Sequence, residues 1–117
     1  MTSLAPRKPT ELTANLLADL TWAVPGGVRA RATDRLASAH DASHYLLTPQ
    51  AVVVPPDVTA LSAALAVARR HQVSSTFRSG GTSLSGQAVS DGLLIDTRRH
   101  FRDISVLAEG RRVRVQP

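Results

Sequence analysis

Residues 78–87 read Arg78-Ser79-Gly80-Gly81-Thr82-Ser83-Leu84-Ser85-Gly86-Gln87 and follow a short β-type run from Val73 to Phe77. The adjacent glycines allow positive φ and leave no Cβ in the way of a ligand. Successive backbone N–H groups in such a turn can converge into a concave anion site, and the hydroxyls of Thr82, Ser83 and Ser85 add donors. This composition is typical of a loop that cradles a phosphate or pyrophosphate. The simpler alternative is a glycine turn that joins two strands.

The glycine spacing excludes two common phosphate motifs. A dinucleotide fingerprint requires G-x-G-x-x-G. Counted from Gly80, the required positions hold Thr82 and Ser85, and counted from Gly81 only one of the two matches. A P-loop ends in Gly-Lys-Ser/Thr, and the only lysine of the chain is Lys8. The loop is therefore neither a Rossmann loop nor a Walker loop.

The segments before the loop predict a βαβ unit. Residues 51–54 form a continuous apolar run rich in valine, which is typical of a buried parallel strand. Asp57 then caps a helix that runs from Val58 to about Arg70. Residues 73–77 form the second strand, and the pair is expected to be parallel with a right-handed crossover. The glycine loop then lies at the carboxyl end of the second strand, where open α/β sheets usually place ligands.

The rest of the chain predicts a leader, one further helix, one strand and one hairpin. The predicted bounds are residues 1–9 for the leader, 10–20 for the helix, 92–97 for the strand, and 103–107 with 111–116 for the hairpin, which turns at 108–110. Thr10 is the predicted N-cap of the helix, because apolar residues begin to repeat on one face just after it. In the second hairpin strand, Val113 and Val115 alternate with polar residues, which predicts a half-buried strand.

Composition indicates one small globular domain. The chain has 117 residues, 43% of them hydrophobic but only 3% aromatic, so that Ala, Val and Leu must build the core. No apolar run approaches the ~20 residues of a membrane span, and the first residues lack the order of a signal peptide. Because the chain has no cysteine, a disulfide framework is excluded.

The positive charge of the chain raises the question of a nucleic-acid partner. The formal net charge is +5, and all cationic side chains except Lys8 are arginines. These arginines are spread along the chain without forming a stripe on a helix, and aromatic residues for base stacking are nearly absent. We therefore expect a solvated basic surface and no nucleic-acid partner.

Other candidate sites are weak. Residues 40–44 read His-Asp-Ala-Ser-His, but the zinc-protease motif requires Glu at the second position. A nucleophile elbow would require glycine where Ser83 stands. His71 and His100 show no partner pattern, so we expect both at the surface. The sequence predicts no metal site and identifies no catalytic residue.

The glycine loop carries a family resemblance. Residues 78–96 resemble the pyrophosphate loop of the vanillyl-alcohol-oxidase type FAD-binding family, which includes D-lactate dehydrogenases and glycolate oxidases. Residues 41–45 and 49–55 sit where that family has its first βα unit, and residues 113–117 resemble a strand that precedes another family glycine. The resemblance runs from about Asp34 to the last residue. Residues 96–101 look most like large bacterial members that also carry iron–sulfur clusters.

The resemblance implies an α+β fold in which a small βαβ unit, additional strands and a hairpin form the N-terminal part of a two-subdomain FAD-binding domain. It divides the chain into a leader and helix, residues 1–33, and a partial FAD-binding domain, residues 34–117. Ser79 replaces the first of the three glycines usual in the family. A serine fits there if its φ is negative.

The implied cofactor is FAD, held without a covalent bond, because residues 77–87 contain no histidine and the chain contains no cysteine. Backbone N–H groups around Ser79 to Ser83 are implied to face the two phosphates, and Arg78 to buttress the loop. Pro55 is implied to lie near the adenine, and Gln87 to lead towards the flavin. The implied cofactor-binding set is Pro55, Arg78, Ser79, Gly80, Gly81, Thr82, Ser83, Gly86 and Gln87.

The implied function is the N-terminal part of an FAD-dependent oxidoreductase that oxidises a small 2-hydroxy acid such as D-lactate. The remainder of the same polypeptide would supply the flavin-ring contacts and any iron–sulfur cluster, so we expect this segment to be inactive alone. The alternative is a stand-alone basic binding or interaction module. We expect a cytoplasmic location, with or without association with a membrane through electron-transfer partners. The reading frame after Pro117 separates the two hypotheses, since a long flavoenzyme continuation favours the first.

Overall fold

The computed structural model describes residues 11–117. Its elements are α1 (Ala14–Ala23), β1 (Val28–Arg29), α2 (Ala32–Ala37), β2 (Ala51–Val53), α3 (Val58–Arg70), β3 (Ser75–Arg78), β4 (Leu93–Asp96), β5 (Ile104–Leu107), a 3₁₀ turn (Ala108–Gly110) and β6 (Arg112–Val115). The α+β fold predicted from the sequence is confirmed, including the βαβ unit and the hairpin.

A four-stranded sheet has the order β1-β2-β4-β3. Strands β2, β4 and β3 are parallel to one another, and β1 joins β2 in the antiparallel sense. The βαβ unit β2-α3-β3 is therefore parallel as predicted, but β4 lies between its two strands. The central place of β4 agrees with its apolar sequence, because Leu93, Leu94 and Ile95 are consecutive and each is fully buried.

The main core lies between the sheet and the helices α1 and α3. Alternate side chains of the central strands face these helices, as the pleat requires. The buried members are Leu16, Leu20, Val24, Ala51, Val53, Ala64, Val67, Ala68, Leu93 and Ile95. A smaller cluster on the other face of the sheet contains Val52, Val54 and Leu94. The core is thus built from Ala, Val and Leu, with one Ile.

Two N-caps define where the helices begin. The side chain of Asp57 accepts a hydrogen bond from the Ala60 N–H at 2.8 Å, which confirms the predicted start of α3. For α1 the predicted start is wrong, because Thr13 is the N-cap and its hydroxyl accepts from the Leu16 N–H at 3.1 Å. The predicted cap, Thr10, and the predicted leader lie outside the described residues.

An ionic contact joins α1 to the C-terminal end of α3. The sequence did not indicate this contact. His71 Nε2 lies 2.7 Å from an Asp19 carboxylate oxygen, and Arg70 donates to the same oxygen at 3.3 Å. The hydrogen bond with His71 is the main cause that lowers the pKa of Asp19. The expectation that His71 is an unpartnered surface residue is therefore wrong, because its partner lies 52 positions away and leaves no local pattern.

The hairpin β5–β6 is paired as predicted, with Ile104 opposite Val115 and Val106 opposite Val113. The expectation of a half-buried strand is wrong, because every residue of β5 and β6 is exposed. The physical reason is that no other element packs on the apolar face of the hairpin within the described residues. The alternation of apolar and polar residues therefore gives the hairpin an apolar face. It does not determine whether another element packs on that face.

No helix in residues 11–117 is both long enough and apolar enough to cross a membrane.

Because the fold depends on the central strand, we expect Ile95→Ala to lower the free energy of unfolding by about 2–5 kcal/mol, the usual cost of removing a buried aliphatic side chain. Ile104→Ala is the matched control, since that side chain is 71% exposed, and it should change stability by less than about 0.5 kcal/mol. Urea denaturation of the 117-residue chain measures both. Equal losses for the two variants would contradict the position of β4.

Candidate functional site

The glycine loop connects the carboxyl end of β3 to the beginning of β4. Because β2, β3 and β4 are parallel, the residues that follow them meet at one edge of the sheet. Pro55 follows β2 and is fully buried. Arg78 closes β3, and its carbonyl accepts from the N–H of Thr97, which follows β4, at 2.9 Å. The structure therefore places the loop and Pro55 at the edge where ligands of such sheets usually bind.

The first half of the loop presents backbone donors to solvent. Ser79, Gly80 and Thr82 are exposed, and Gly81 is half-buried. Gly81 has φ +68°, whereas Ser79 lies outside the left-handed region, so that a serine fits where the family usually has glycine. Within residues 11–117, no backbone N–H from Ser79 to Ser83 donates to a protein acceptor. These N–H groups are free to bind an anion.

The Ser83 hydroxyl stabilises the loop itself. It donates to Gln87 Oε1 at 2.6 Å and accepts from the N–H groups of Ser85 and Gln87, both at 3.2 Å. The expectation that this hydroxyl is a free ligand donor is therefore not met, because its proton is already engaged. The same bond holds the Gln87 side chain against the loop.

Arg78 lies beneath the loop. Its Nη1 donates to the carbonyls of His40 at 2.8 Å, Ala88 at 3.2 Å and Ser38 at 3.3 Å. A Cβ built at Gly81 would lie 2.6 Å from Arg78 Cζ, so the guanidinium packs directly under this glycine. The guanidinium thus contacts the loop from the protein side, with three carbonyls as hydrogen-bond acceptors.

Asp41 is a second charged residue behind the loop, and the sequence analysis gave it no role. Its Oδ1 accepts from the Ser43 N–H at 2.9 Å, and its Oδ2 accepts from the Ala88 N–H at 3.3 Å. The Ser43 side chain is the main cause that lowers the pKa of Asp41; burial opposes it, and the N–H groups of Ser43 and Ala88 add to it. The carboxyl is therefore ionised at neutral pH.

Tyr45 supports the second half of the loop. Gly86 has φ +79°, and a Cβ there would lie 2.6 Å from Tyr45 Cδ2. The N–H of Tyr45 donates to the Ser43 hydroxyl at 3.1 Å. Segment 41–45 therefore contacts the loop at two places, Gly86 and Ala88.

The comparisons with known proteins assign the family. The sequence profile of a family described as FAD binding domain matches residues 49–117. This chain belongs to that family. The FAD-binding domain resembles the D-2-hydroxyglutarate dehydrogenases of Pseudomonas putida, with 38% identity over 78% of this chain, and of Escherichia coli, with 35% identity over 91% of it. Glycolate oxidase subunit GlcD of Escherichia coli is 38% identical over 64% of the chain.

The domain is a small part of these relatives. It spans 9% and 11% of the two D-2-hydroxyglutarate dehydrogenases and 15% of the glycolate oxidase subunit. Among solved structures, chitooligosaccharide oxidase matches with a TM-score of 0.68 at 24% identity, over 87% of this chain and 22% of its own. BBE-like 1 of Physcomitrella patens matches with a TM-score of 0.66 at 22% identity, over 77% of this chain and 20% of its own. These likenesses confirm the fold.

The residues of the loop would be compatible with the pyrophosphate of FAD. Free N–H groups from Ser79 to Ser83 suit phosphate oxygens, and Gly80 has only the Thr82 side chain within 4 Å of a built Cβ, which leaves room for close approach. Residues 78–90 contain no carboxylate that would repel an anion. In the described part of the chain, no group of three or more His, Cys, Asp or Glu side chains could hold a metal ion.

Proposed function

We propose that this domain supplies the pyrophosphate-binding loop of an FAD-dependent oxidoreductase that oxidises a small 2-hydroxy acid. The observation that carries the proposal is the row of unengaged backbone N–H groups from Ser79 to Ser83 at the carboxyl edge of a parallel sheet. Family membership supports FAD as the ligand of these groups. The nine residues assigned from the sequence are proposed to form the cofactor site, with the Arg78 guanidinium and the Ser83 hydroxyl acting on the loop rather than on the phosphates.

The relatives support the substrate class. Their names specify D-2-hydroxyglutarate and glycolate, both of which carry a hydroxyl on the carbon next to a carboxylate. D-Lactate belongs to the same class. When bound, FAD would accept a hydride from the carbon that carries this hydroxyl. We therefore propose a D-2-hydroxy acid as substrate, with D-2-hydroxyglutarate as the first compound to test and D-lactate as the second.

The residues that handle the substrate and the flavin ring are proposed to lie in sequence beyond this segment, because the domain spans only 9–15% of the curated relatives. An iron–sulfur cluster, whose usual ligands are cysteine thiolates, would also need residues from elsewhere, since the chain has no cysteine. The flavin is proposed to be held without a covalent bond, because residues 77–87 contain no histidine.

The test is an assay of the full-length protein that carries this segment. We expect the purified protein to be yellow, to release all of its flavin as FAD on acid precipitation, and to reduce an artificial acceptor with D-2-hydroxyglutarate or D-lactate. The L-isomers are the matched controls and should be oxidised at least about tenfold more slowly. Absence of flavin would contradict the cofactor, and bound FAD without turnover of any 2-hydroxy acid would contradict the substrate class.

A further inference from the structure

Both backbone polar groups of Ala88, on the return limb of the glycine loop, are hydrogen-bonded to charged side chains. Its N–H donates to Asp41 Oδ2 at 3.3 Å, and its carbonyl accepts from Arg78 Nη1 at 3.2 Å. Ala88 is buried, so water does not readily replace either bond. A carboxylate and a guanidinium, which come from different segments, therefore hold the two peptide groups that flank Ala88.

The two charged groups belong to the same network. Arg78 Nη1 also donates to the carbonyl of His40, the residue before Asp41, at 2.8 Å. The other carboxylate oxygen of Asp41 is held by the Ser43 N–H at 2.9 Å. The Ser43 N–H thus holds the carboxylate of Asp41, and the Arg78 guanidinium holds the backbone carbonyl just before Asp41.

The network closes the glycine loop at its base. Arg78 is the residue at which the loop begins, and Ala88 lies on its return limb, so the bond between them brings the two ends together. The Arg78 guanidinium also packs under Gly81, between these ends. A loop that is ordered before the ligand arrives loses less conformational entropy on binding, and this raises affinity without a new ligand contact.

We infer that Asp41 is a positioning residue for the cofactor loop, which together with Arg78 clamps the backbone on both sides of Ala88 and holds the Ser79–Ser83 N–H groups ready for the cofactor. The inference rests on the proposed function, because it assumes that these N–H groups bind the FAD pyrophosphate. Asp41 lies behind the loop and reaches the ligand only through Ala88. Segment 41–45 thereby gains a role that is separate from ligand contact.

The chemistry requires a carboxylate at position 41. An ionised aspartate has two acceptor oxygens, one for each of the N–H groups of Ser43 and Ala88, whereas asparagine has one oxygen and an amide that only donates. Asp41→Asn is nearly isosteric but turns an NH2 group towards one of these N–H donors. If the NH2 group faces Ala88, the buried Ala88 N–H loses its acceptor, and this raises the free energy of the ordered loop.

The test compares FAD affinity in the full-length apoprotein. We expect Asp41→Asn to raise the dissociation constant of FAD by roughly tenfold or more. Asp34→Asn is the matched control, because the carboxylate of Asp34 is also engaged, by Arg31 at 2.9 Å, but lies on α2 and bonds to no residue of the loop. The control should keep the wild-type affinity. Equal affinity of both variants would overturn the inference while leaving the proposed function intact, whereas a wild-type protein that does not bind FAD would overturn both.

A double-mutant cycle separates the clamp from a general structural role. Arg78→Lys keeps the positive charge but lacks the planar guanidinium that packs under Gly81, and it should also weaken FAD binding. Because either change opens the same clamp, the loss in the double variant should be smaller than the product of the two single losses. Losses that simply multiply would show two independent effects and overturn the clamp.

Hydrogen exchange of the wild-type apoprotein tests the clamp without any substitution. The Ala88 amide should exchange slowly before FAD is added, whereas the amides of Ser79 to Ser83 should exchange fast and become protected when FAD binds. An Ala88 amide that exchanges as fast as those of Ser79 to Ser83 in the apoprotein would overturn the inference, even if Asp41→Asn fails to fold.

Discussion

Gly81→Val should abolish flavin loading of the full-length protein. Gly81 has φ +68°, and its Cβ would lie 2.6 Å from Arg78 Cζ. A β-branched residue in this backbone conformation costs on the order of 1–3 kcal/mol, and displacement of the guanidinium adds to that. We expect the loop to relieve this strain by leaving the binding conformation, so that regaining it at a cost of about 3 kcal/mol would lower FAD affinity by roughly 100-fold. From the sequence alone, valine would be expected to meet the phosphates, whereas in the structure its first clash is with Arg78.

The control for this prediction is Gly26→Val. Gly26 has a similar φ of +72° but has no atom within 4 Å of a built Cβ, so it carries the same backbone strain away from the loop. The flavin-to-protein absorbance ratio of the two purified variants gives the result. We expect the ratio of Gly81→Val to fall below about a tenth of the wild-type value and that of Gly26→Val to stay unchanged. An unchanged flavin-to-protein ratio in Gly81→Val would show that the loop is not part of the cofactor site.

The 117-residue chain alone should bind FAD at least about 100-fold more weakly than the full-length protein, because a working cofactor site buries most of its ligand. The loop is open to solvent, with Leu84 at its tip 80% exposed. The pyrophosphate contacts alone would leave the flavin ring in water. We therefore expect no yellow colour on purification and no turnover of D-lactate with an artificial acceptor.

Titration of FAD into the pure chain, followed by flavin fluorescence and calorimetry, measures this affinity. Circular dichroism of the same sample checks that the chain is folded. Stoichiometric binding at low-micromolar affinity would show that residues 1–117 already form a complete site, and the proposal that later sequence completes it would be wrong.

The elements that the sequence predicted well are those with strong local signals. Residues 51–54 show the apolar run of a buried strand, and Asp57 has the chemistry of an N-cap, so β2 and α3 were predicted within a residue or two. Strand β1 pairs over only Val28 and Arg29, and α2 has six residues, so neither is long enough to show a repeated hydrophobic pattern. The insertion of β4 between β2 and β3 depends on tertiary packing, which hydrophobic periodicity does not encode.

The candidate site also has one part that the sequence predicts and one part that it does not. The loop at the end of β3 could be predicted, because its glycines and hydroxyl residues are contiguous in sequence. The contacts behind it could not, because Asp41 and Ala88 are 47 positions apart, and His40 and Arg78 are 38 apart. The hydrogen bond from the Ser83 hydroxyl to Gln87 could not be predicted either, since it depends on the turn that brings Gln87 close to Ser83.

The central claim is that the backbone from Ser79 to Ser83 binds the pyrophosphate of FAD. The most direct test is a crystal structure of the flavin-loaded full-length protein. We expect pyrophosphate oxygens within about 2.7–3.2 Å of at least two backbone nitrogens between Ser79 and Ser83, with the Arg78 guanidinium still bonded to the carbonyls of His40 and Ala88. A pyrophosphate bound elsewhere, with these N–H groups facing protein or solvent, would contradict the account.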